Sequence, residues 1–454
     1  MIRKLIVLFF AYLIIEGALR KWLFPEASAE LFVLKDVILI VGFVAYLAAD
    51  PKASFSYLRL GELMPWILWV LFVLGFFLAR EPSLAGIAGL RYYLAPLPLL
   101  VLVPYAIGEL RNLQRAAFAV LLVTIPLCIL GIIQYVSPLD SEINRYAWIT
   151  VDRGDVSTFG FTEDLALGIE LGRPRITATF SYISTYAAYL MFAVLAAWAV
   201  LAGPADTRMM LFASASLLLI FANLAMTGSR APMAMSVALS IPFAYMVLKK
   251  IWRSQSPATA ILALLVPMLG AFTLVIVDAF EALALRAQDA GDTDERILGT
   301  LLLPFSTLLG IEPFGRGIGG TFGGMAELRE GAALVEGFKE VDEDRVGVEL
   351  GHAGYLLVLY LKCVFLYKSW VLYRECAKAP DLQVWALTAL AVQLGSVWQI
   401  PFHNAVASSF YFASLGLFLW VRGEFGVRAA RNTGTYRPPA RSFITASRNS
   451  GAGR

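Results

Sequence analysis

What most constrains this chain is a succession of apolar stretches, each close to the roughly 20 residues a helix needs to cross the hydrocarbon core of a bilayer. They fall near 3–19, 31–48, 64–79, 91–108, 116–136, 177–201, 209–226, 231–248, 259–278, 351–373, 383–400 and 408–422. In lipid, backbone N–H and C=O groups have to be satisfied within the segment, so stretches this long and apolar fold as helices. The expected fold is an all-α polytopic membrane protein of about 12 transmembrane helices. Composition agrees, since only 16% of the 454 residues are charged, against about 25% in soluble domains.

Several function classes are excluded at this level. The three cysteines, Cys128, Cys363 and Cys376, lie in or beside apolar stretches without a C-x-x-C partner, so neither a disulfide framework nor a zinc site is expected. There is no Asp/Glu/His cluster at metal-ligand spacing and no G-x-S-x-G elbow, which argues against metal dependence and acyl-serine chemistry. No cofactor is expected. A net charge of +3 with scattered basic groups gives no footprint for nucleic acid. The first stretch follows Met1-Ile2-Arg3-Lys4 without a small-residue cleavage site, the pattern of a retained signal-anchor. Neither internal repeats nor paired Gly/Pro-broken spans are visible, which counts mildly against an inverted-repeat transporter.

Orientation follows the Lys/Arg bias of short loops. Arg3 and Lys4, Lys52 and Arg59, Arg111 and Arg115, Arg208, Lys249 to Arg253, Lys368 to Lys378 and the tail fall on one side, read as cytoplasmic together with both termini. The segments 137–176 and 279–350 then lie outside, the second as a large periplasmic loop before the last three helices. Residues 1–422 form a single transmembrane domain, and 423–454, rich in Arg, Ser, Gly and Pro, is expected to be a disordered basic tail resting near anionic lipid.

Charges within spans are costly and by default mark function. Here they gather towards the outer side. "IIEGALRKWLFP" carries Glu16, Arg20 and Lys21, and "LFVLKDVILI" carries Lys35 and Asp36. Glu16 and Arg20, four apart on one face, are placed to pair, and Lys35 and Asp36 to pair with neighbouring helices. Arg80, Arg91, Arg173, Arg175 and Arg230 reach the same level. In "LAMTGSRAPMAMS", Thr227 and Gly228 break a helix, Ser229 suits an N-cap and Pro232 a first turn. Arg230 would then sit at the positive end of a helix dipole, an anion site by its backbone N–H groups. The glycine-rich "GRGIGGTFGG" lacks a Walker lysine. It is read as a lid or hinge, with Arg316 as an extra phosphate contact. Glu349 and His352 enter the tenth span three residues apart, on one helix face, where a carboxylate can orient an imidazole as a general base. His403 is read as an interfacial anchor.

Four of these motifs together, "TGSRAP" (227–232), "RITATFSYISTYAAYL" (175–190), "PFGRGIGG" (313–320) and "ELGHAGYLLVLY" (349–360), resemble the O-antigen ligase and Wzy-type polysaccharide polymerase superfamily, membrane glycosyltransferases related to the GT-C fold. The resemblance runs from about residue 64 to 422. It implies transfer of glycan from an undecaprenyl-pyrophosphate carrier on the periplasmic face of a bacterial inner membrane, without metal or nucleotide. By resemblance Arg230, Arg175 and Arg296 bind the pyrophosphate, and His352 is the base or orients the acceptor. The chain departs from the family pattern at Ala353 and Cys363, where Asn and Gly are usual, which leaves Glu349 as a rival base. The expected partners are the lipid-linked oligosaccharide, membrane lipids and other polysaccharide assembly proteins. The "EGALRKWLFP" and "LKDVIL" motifs are closer to the exopolysaccharide polymerase branch than to the lipid A ligases. A ligase, and a flippase or exporter of lipid-linked glycan, are the alternatives.

Overall fold

The computed structural model describes residues 1–49, 60–79, 84–139, 141–145, 174–254, 308, 312–319, 321, 342–397, 402 and 404–432. Among them the chain is helical. In order come α1 (Ile2–Ala18), α2 (Ser28–Ala48), α3 (Leu60–Ala79), α4 (Leu84–Leu94), α5 (Leu99–Ile107), α6 (Leu110–Val136), α7 (Ile183–Ala202), α8 (Thr207–Met226), α9 (Arg230–Ser254), α10 (Asp342–Glu375), α11 (Pro380–Gly395) and α12 (Ala405–Asn432). A π-helical turn, Leu19–Leu23, and a 3₁₀ turn, Pro25–Ala27, join α1 to α2.

Nine helical stretches of the described residues are long and apolar enough to cross a membrane, with α4 and α5 counted as one. The protein is therefore a multi-pass helical membrane protein by length and composition. The difference from twelve has three sources. Helices α1 and α11, of 17 and 16 residues, are shorter than any of the nine, and the stretch 259–278 lies outside the described residues. Boundaries also move. Residues 177–182 belong to a turn preceding α7 rather than to the helix itself. The basic tail begins later than the composition suggested, because α12 continues to Asn432. Phe425 packs on the core there, and Arg428 is held by Asp381 and Glu424 at 2.8 and 3.0 Å. Residues 433–454 lie outside the described residues.

Helix α7 is the central post, packed against α6, α8, α9, α11 and α12. Its buried residues include Ala187, Ala193, Ala196, Ala197 and Ala199. In lipid there is little hydrophobic force between helices, so close approach over small side chains supplies the attraction. Helices α2 and α3 instead lie at the rim. Val37, Ile40, Val41 and Val44 of α2 and Leu68, Leu71 and Leu78 of α3 are exposed, as lipid-facing positions should be. Several polar side chains within the bundle are paired: Tyr186 donates to Asn223 Oδ1 at 2.9 Å, Thr124 and Tyr189 share a 2.8 Å bond, and Gln393 donates to Ser414 at 2.7 Å.

The contacts between turns and helix ends give the bundle two ends. One carries Met1, the α5–α6 and α7–α8 turns and the end of α12. The other carries the α1–α2 turn, the segment entering α7, the α8–α9 hairpin and the kink of α10. The candidate site is at this second end.

Candidate functional site at one end of the bundle

The segment Arg175–Ser181 runs across the second end and is held from three sides. Gln134, at the end of α6, accepts from the N–H groups of Ala178 at 2.7 Å and Thr177 at 3.2 Å, and donates to the carbonyl of Ile143 at 2.7 Å. Lys21 donates to Thr177 Oγ1 and to the Ala178 carbonyl. Thr179 donates to the Ile14 carbonyl at 2.6 Å. Gly17 lies so close that a Cβ there would meet Thr179 O at 2.3 Å. Ala178 has φ +46°, a conformation that disfavours a side chain, and this surrounding network holds it. Lys21 is fully buried and bonded to uncharged oxygens, and burial holds its ammonium well below the usual lysine range.

The clamp sets the position of Arg175. Its Nε donates to the Thr227 carbonyl at 2.8 Å, and one Nη contacts Ser229 Oγ at 3.3 Å. A cation at the C-terminal carbonyls of α8 is favourable on both hydrogen-bond and dipole grounds. The hairpin is built as its residue types require, with Gly228 at φ +66° and Thr227 donating back to the Leu224 carbonyl at 2.7 Å. Arg230 opens α9 and is partly exposed. The two arginines, 55 positions apart in the chain, thus meet at one hairpin tip: the head of Arg175 rests on the residue that precedes Arg230.

The third element is the contact between 312–321 and the start of α10. Backbone bonds run from Arg316 N to Val348 O at 2.6 Å, from Gly317 N to Glu349 O at 3.1 Å and from His352 N to Pro313 O at 3.2 Å. Of the glycines described here, Gly315 and Gly319 lie packed against neighbouring backbone. Gly315 and Gly351, at φ +57° and +67°, abut so closely that a Cβ on Gly315 would meet Gly351 N at 2.5 Å, and one on Gly319 would meet Ala85 O at 2.1 Å. They let backbone approach backbone and wedge this segment between α4 and α10. Arg316 is exposed and paired with Glu312 at 3.0 Å.

Glu349 is buried and saturated. Tyr93 donates to its Oε2 at 2.7 Å, and Thr321 donates to Oε1 through its hydroxyl at 2.7 Å and its N–H at 3.1 Å. Tyr93 is fixed in turn between Trp69 and Phe402, with ring centroids 6.0 and 5.4 Å away. The expected Glu349–His352 pair is not formed. Gly351 takes φ +67°, ψ −168° inside α10, which breaks the helical register between the two residues. His352, half-buried, faces the Leu308 carbonyl through Nε2 at 3.0 Å. Arg296, Arg80, Arg173 and His403 lie outside the described residues.

The charges of α1 and α2 pair as expected. Glu16 binds Arg20 at 3.0 Å and Lys35 at 2.9 Å, all three buried, and Asp36 pairs with Arg91 of α4.

No family model and no curated protein matches the chain. The reading of the site rests on the chemistry of these residues. The residues that sequence reasoning missed, Gln134, Tyr93, Thr321 and Gly17, act through contacts between segments separated in the chain, and none carries a local sequence signal. Among the described residues no group of His, Cys, Asp and Glu could hold a metal ion.

Proposed function

We propose that the protein is an integral membrane glycosyltransferase that polymerises glycan carried on undecaprenyl pyrophosphate. Its finer topology on this reading is about twelve spans, both termini cytoplasmic and the second end periplasmic, in a bacterial inner membrane. The observation that carries the reading is the position of Arg175, bonded to the Thr227 carbonyl and next to Ser229 Oγ, at the α8–α9 hairpin from which Arg230 opens α9. A sugar linked to pyrophosphate already has a good leaving group. The protein must neutralise charge developing on that group and take a proton from the acceptor hydroxyl. Arginines do the first without a metal, being permanently charged and able to bind oxyanions through two donors.

For the second task His352 is the better candidate. The oxygens of Glu349 already accept three hydrogen bonds, so its role is to lock 312–321 onto α4 and α10. The reaction is an inverting single displacement: the acceptor oxygen bonds to the anomeric carbon, the bond to pyrophosphate breaks, and the acceptor proton goes to His352. Arg230 and Arg175, with Arg296, take the pyrophosphate charge.

The test is the lipid-linked glycan of a strain lacking the protein. Single repeat units accumulating outside the membrane support the polymerase. Complete chains left on the carrier indicate a ligase, and units retained inside a flippase. Arg230→Ala should abolish long-chain glycan at unchanged protein level, and normal chains would remove the pyrophosphate role. Reporter fusions after residues 160 and 320 should both report the periplasm, and a cytoplasmic signal from either sinks the site.

A further inference from the structure

The cation cluster of α1, α2 and α4 borders the Arg175–Ser181 segment through the Arg20–Ser181 and Lys21–Thr177 bonds, uses different side chains from the hairpin arginines, and carries more positive charge than its own acids neutralise. Arg20, Lys35 and Arg91 all surround the ring of Phe32, at 5.1, 3.6 and 4.1 Å from its centroid. They face two carboxylates, Glu16 and Asp36. The nearby acids Glu26 and Glu30 are exposed. Lys21 adds a fourth basic group without a carboxylate, so the imbalance stands even with that amine neutral.

Two unsatisfied groups point to a missing ligand. Arg20 uses Nε on Ser28 and one Nη on Glu16 and Ser181, while its other Nη is buried without a hydrogen-bond partner among the described residues. The Ser408 hydroxyl of α12, in a residue 2% exposed, is also unpartnered. Ser408 lines a cleft of about 30 Å³ with Lys35, Asp36, Arg91 and Tyr92. Arg91 meets Asp36 through Nε, which leaves the terminal nitrogens of its guanidinium for another acceptor. Both residues of that pair are partly exposed, so the cleft is reachable from outside the protein.

We propose that this cluster is a binding site for a phosphoryl oxyanion, held by Arg91, Lys35 and Ser408 with Arg20 behind them. The chemistry follows from the donor set: fixed guanidinium groups, an ammonium and a hydroxyl match phosphate oxygens, and the ends of membrane spans lie at the level of lipid phosphates. The headgroup of an anionic phospholipid and a soluble phosphate or pyrophosphate present the same group. The inference does not rest on the glycosyltransferase reading, because binding is measured without turnover.

The experiment uses the purified full chain in detergent at constant chloride, titrated separately with inorganic pyrophosphate and with phosphatidylglycerol or phosphatidylcholine in mixed micelles. Stabilisation by at least one phosphoryl probe is expected, with a melting temperature raised by roughly 2 °C or more at saturation. A response to pyrophosphate supports a soluble ligand, and one confined to phosphatidylglycerol supports a headgroup. Arg20→Lys, which keeps the charge and removes the fork, and the near-isosteric Ser408→Ala should each weaken apparent affinity by about tenfold. Arg230→Gln should leave the response in place. No response to any probe overturns the proposal, as does a response that Arg20→Lys, Arg91→Gln and Ser408→Ala all leave unchanged or that Arg230→Gln abolishes.

Discussion

The two ends of the bundle treat charge differently. At the end bearing Met1, Glu62 of α3 is gripped by Lys368 of α10 and Arg422 of α12 at 2.7 and 3.1 Å, with both cations about a third exposed or less. Lys250 donates to the carbonyls of Leu201 and Gly203 at 3.3 and 2.6 Å. Asp381 and Glu424 hold Arg428. In each of these the cation stays partly solvated, and the Glu62 and Asp381 contacts tie neighbouring helices. At the other end Glu16, Arg20, Lys21, Lys35 and Glu349 are almost fully buried, and the backbone leaves regular geometry at Ala178, Gly228, Gly315 and Gly351. Burying charges costs several kcal/mol each unless partners and geometry are good. Ties between helices can keep their cations partly solvated, as Lys368 and Arg422 do around the buried Glu62 of the first end. Most of the desolvated charge and irregular backbone of the described residues lies at the second end, with Gly108 and Glu62 at the first, and such a concentration is what a site for a charged ligand needs.

The sharpest way to break this contrast is through its glycines. Gly315→Ala or Gly351→Ala places a Cβ 2.5 to 2.6 Å from a backbone nitrogen at positive φ. The expected cost is about 3 kcal/mol or more, read as loss of folded protein in detergent by size-exclusion chromatography. Gly61→Ala at the opposite end meets nothing within 4 Å and should be indistinguishable from wild type. If both behave alike, the close wedge at the second end is not as described.

Removing Glu349 should come next. Glu349→Ala leaves the Tyr93 hydroxyl and two Thr321 donors unanswered in a buried place, an expected loss of about 3 kcal/mol. A thermal melt lowered as much in a Tyr93→Phe/Glu349→Ala double variant as in Glu349→Ala alone would confirm that the two share one interaction. Additive losses would refute it.

Gln134→Ala frees the Thr177 and Ala178 N–H groups, for about 2 kcal/mol. If the clamp positions Arg175, an Arg175→Lys background should mask the effect of Gln134→Ala on glycan length while leaving its effect on melting temperature intact.

At the first end the effects should be smaller. Glu62→Gln loses its charge but keeps a hydrogen-bonding oxygen for Lys368 and Arg422, an expected cost of about 1 kcal/mol. Asp381→Asn should fall within about 0.5 kcal/mol of wild type. A larger loss from Asp381→Asn than from Glu349→Ala, measured by the same melt, would reverse the ranking of the two ends.

Much of this architecture is legible in the residues alone, because in lipid the demand to satisfy every backbone group leaves helices as the outcome of long apolar runs. The break at Thr227–Gly228, the start of α9 at Arg230 and the Glu16–Arg20 pair follow from local rules of capping, positive φ and four-residue spacing. Other features depend on neighbours far away in the chain. Glu349 and His352 have the spacing of one helix face, yet Gly351 breaks that face because Pro313–Gly315 packs against it. The glycines of 315–319 have the composition of a mobile loop, and only the backbones of α4 and α10 pressed against them turn them into a wedge. Sequence by itself determined that the chain is a multi-pass helical bundle, with its costly charges gathered towards one side. Tertiary structure decided which charges meet, since pairing and close backbone approach join segments far apart in the chain, Tyr93 and Glu349 by 256 residues and Glu62 and Lys368 by 306, across which no periodicity carries information.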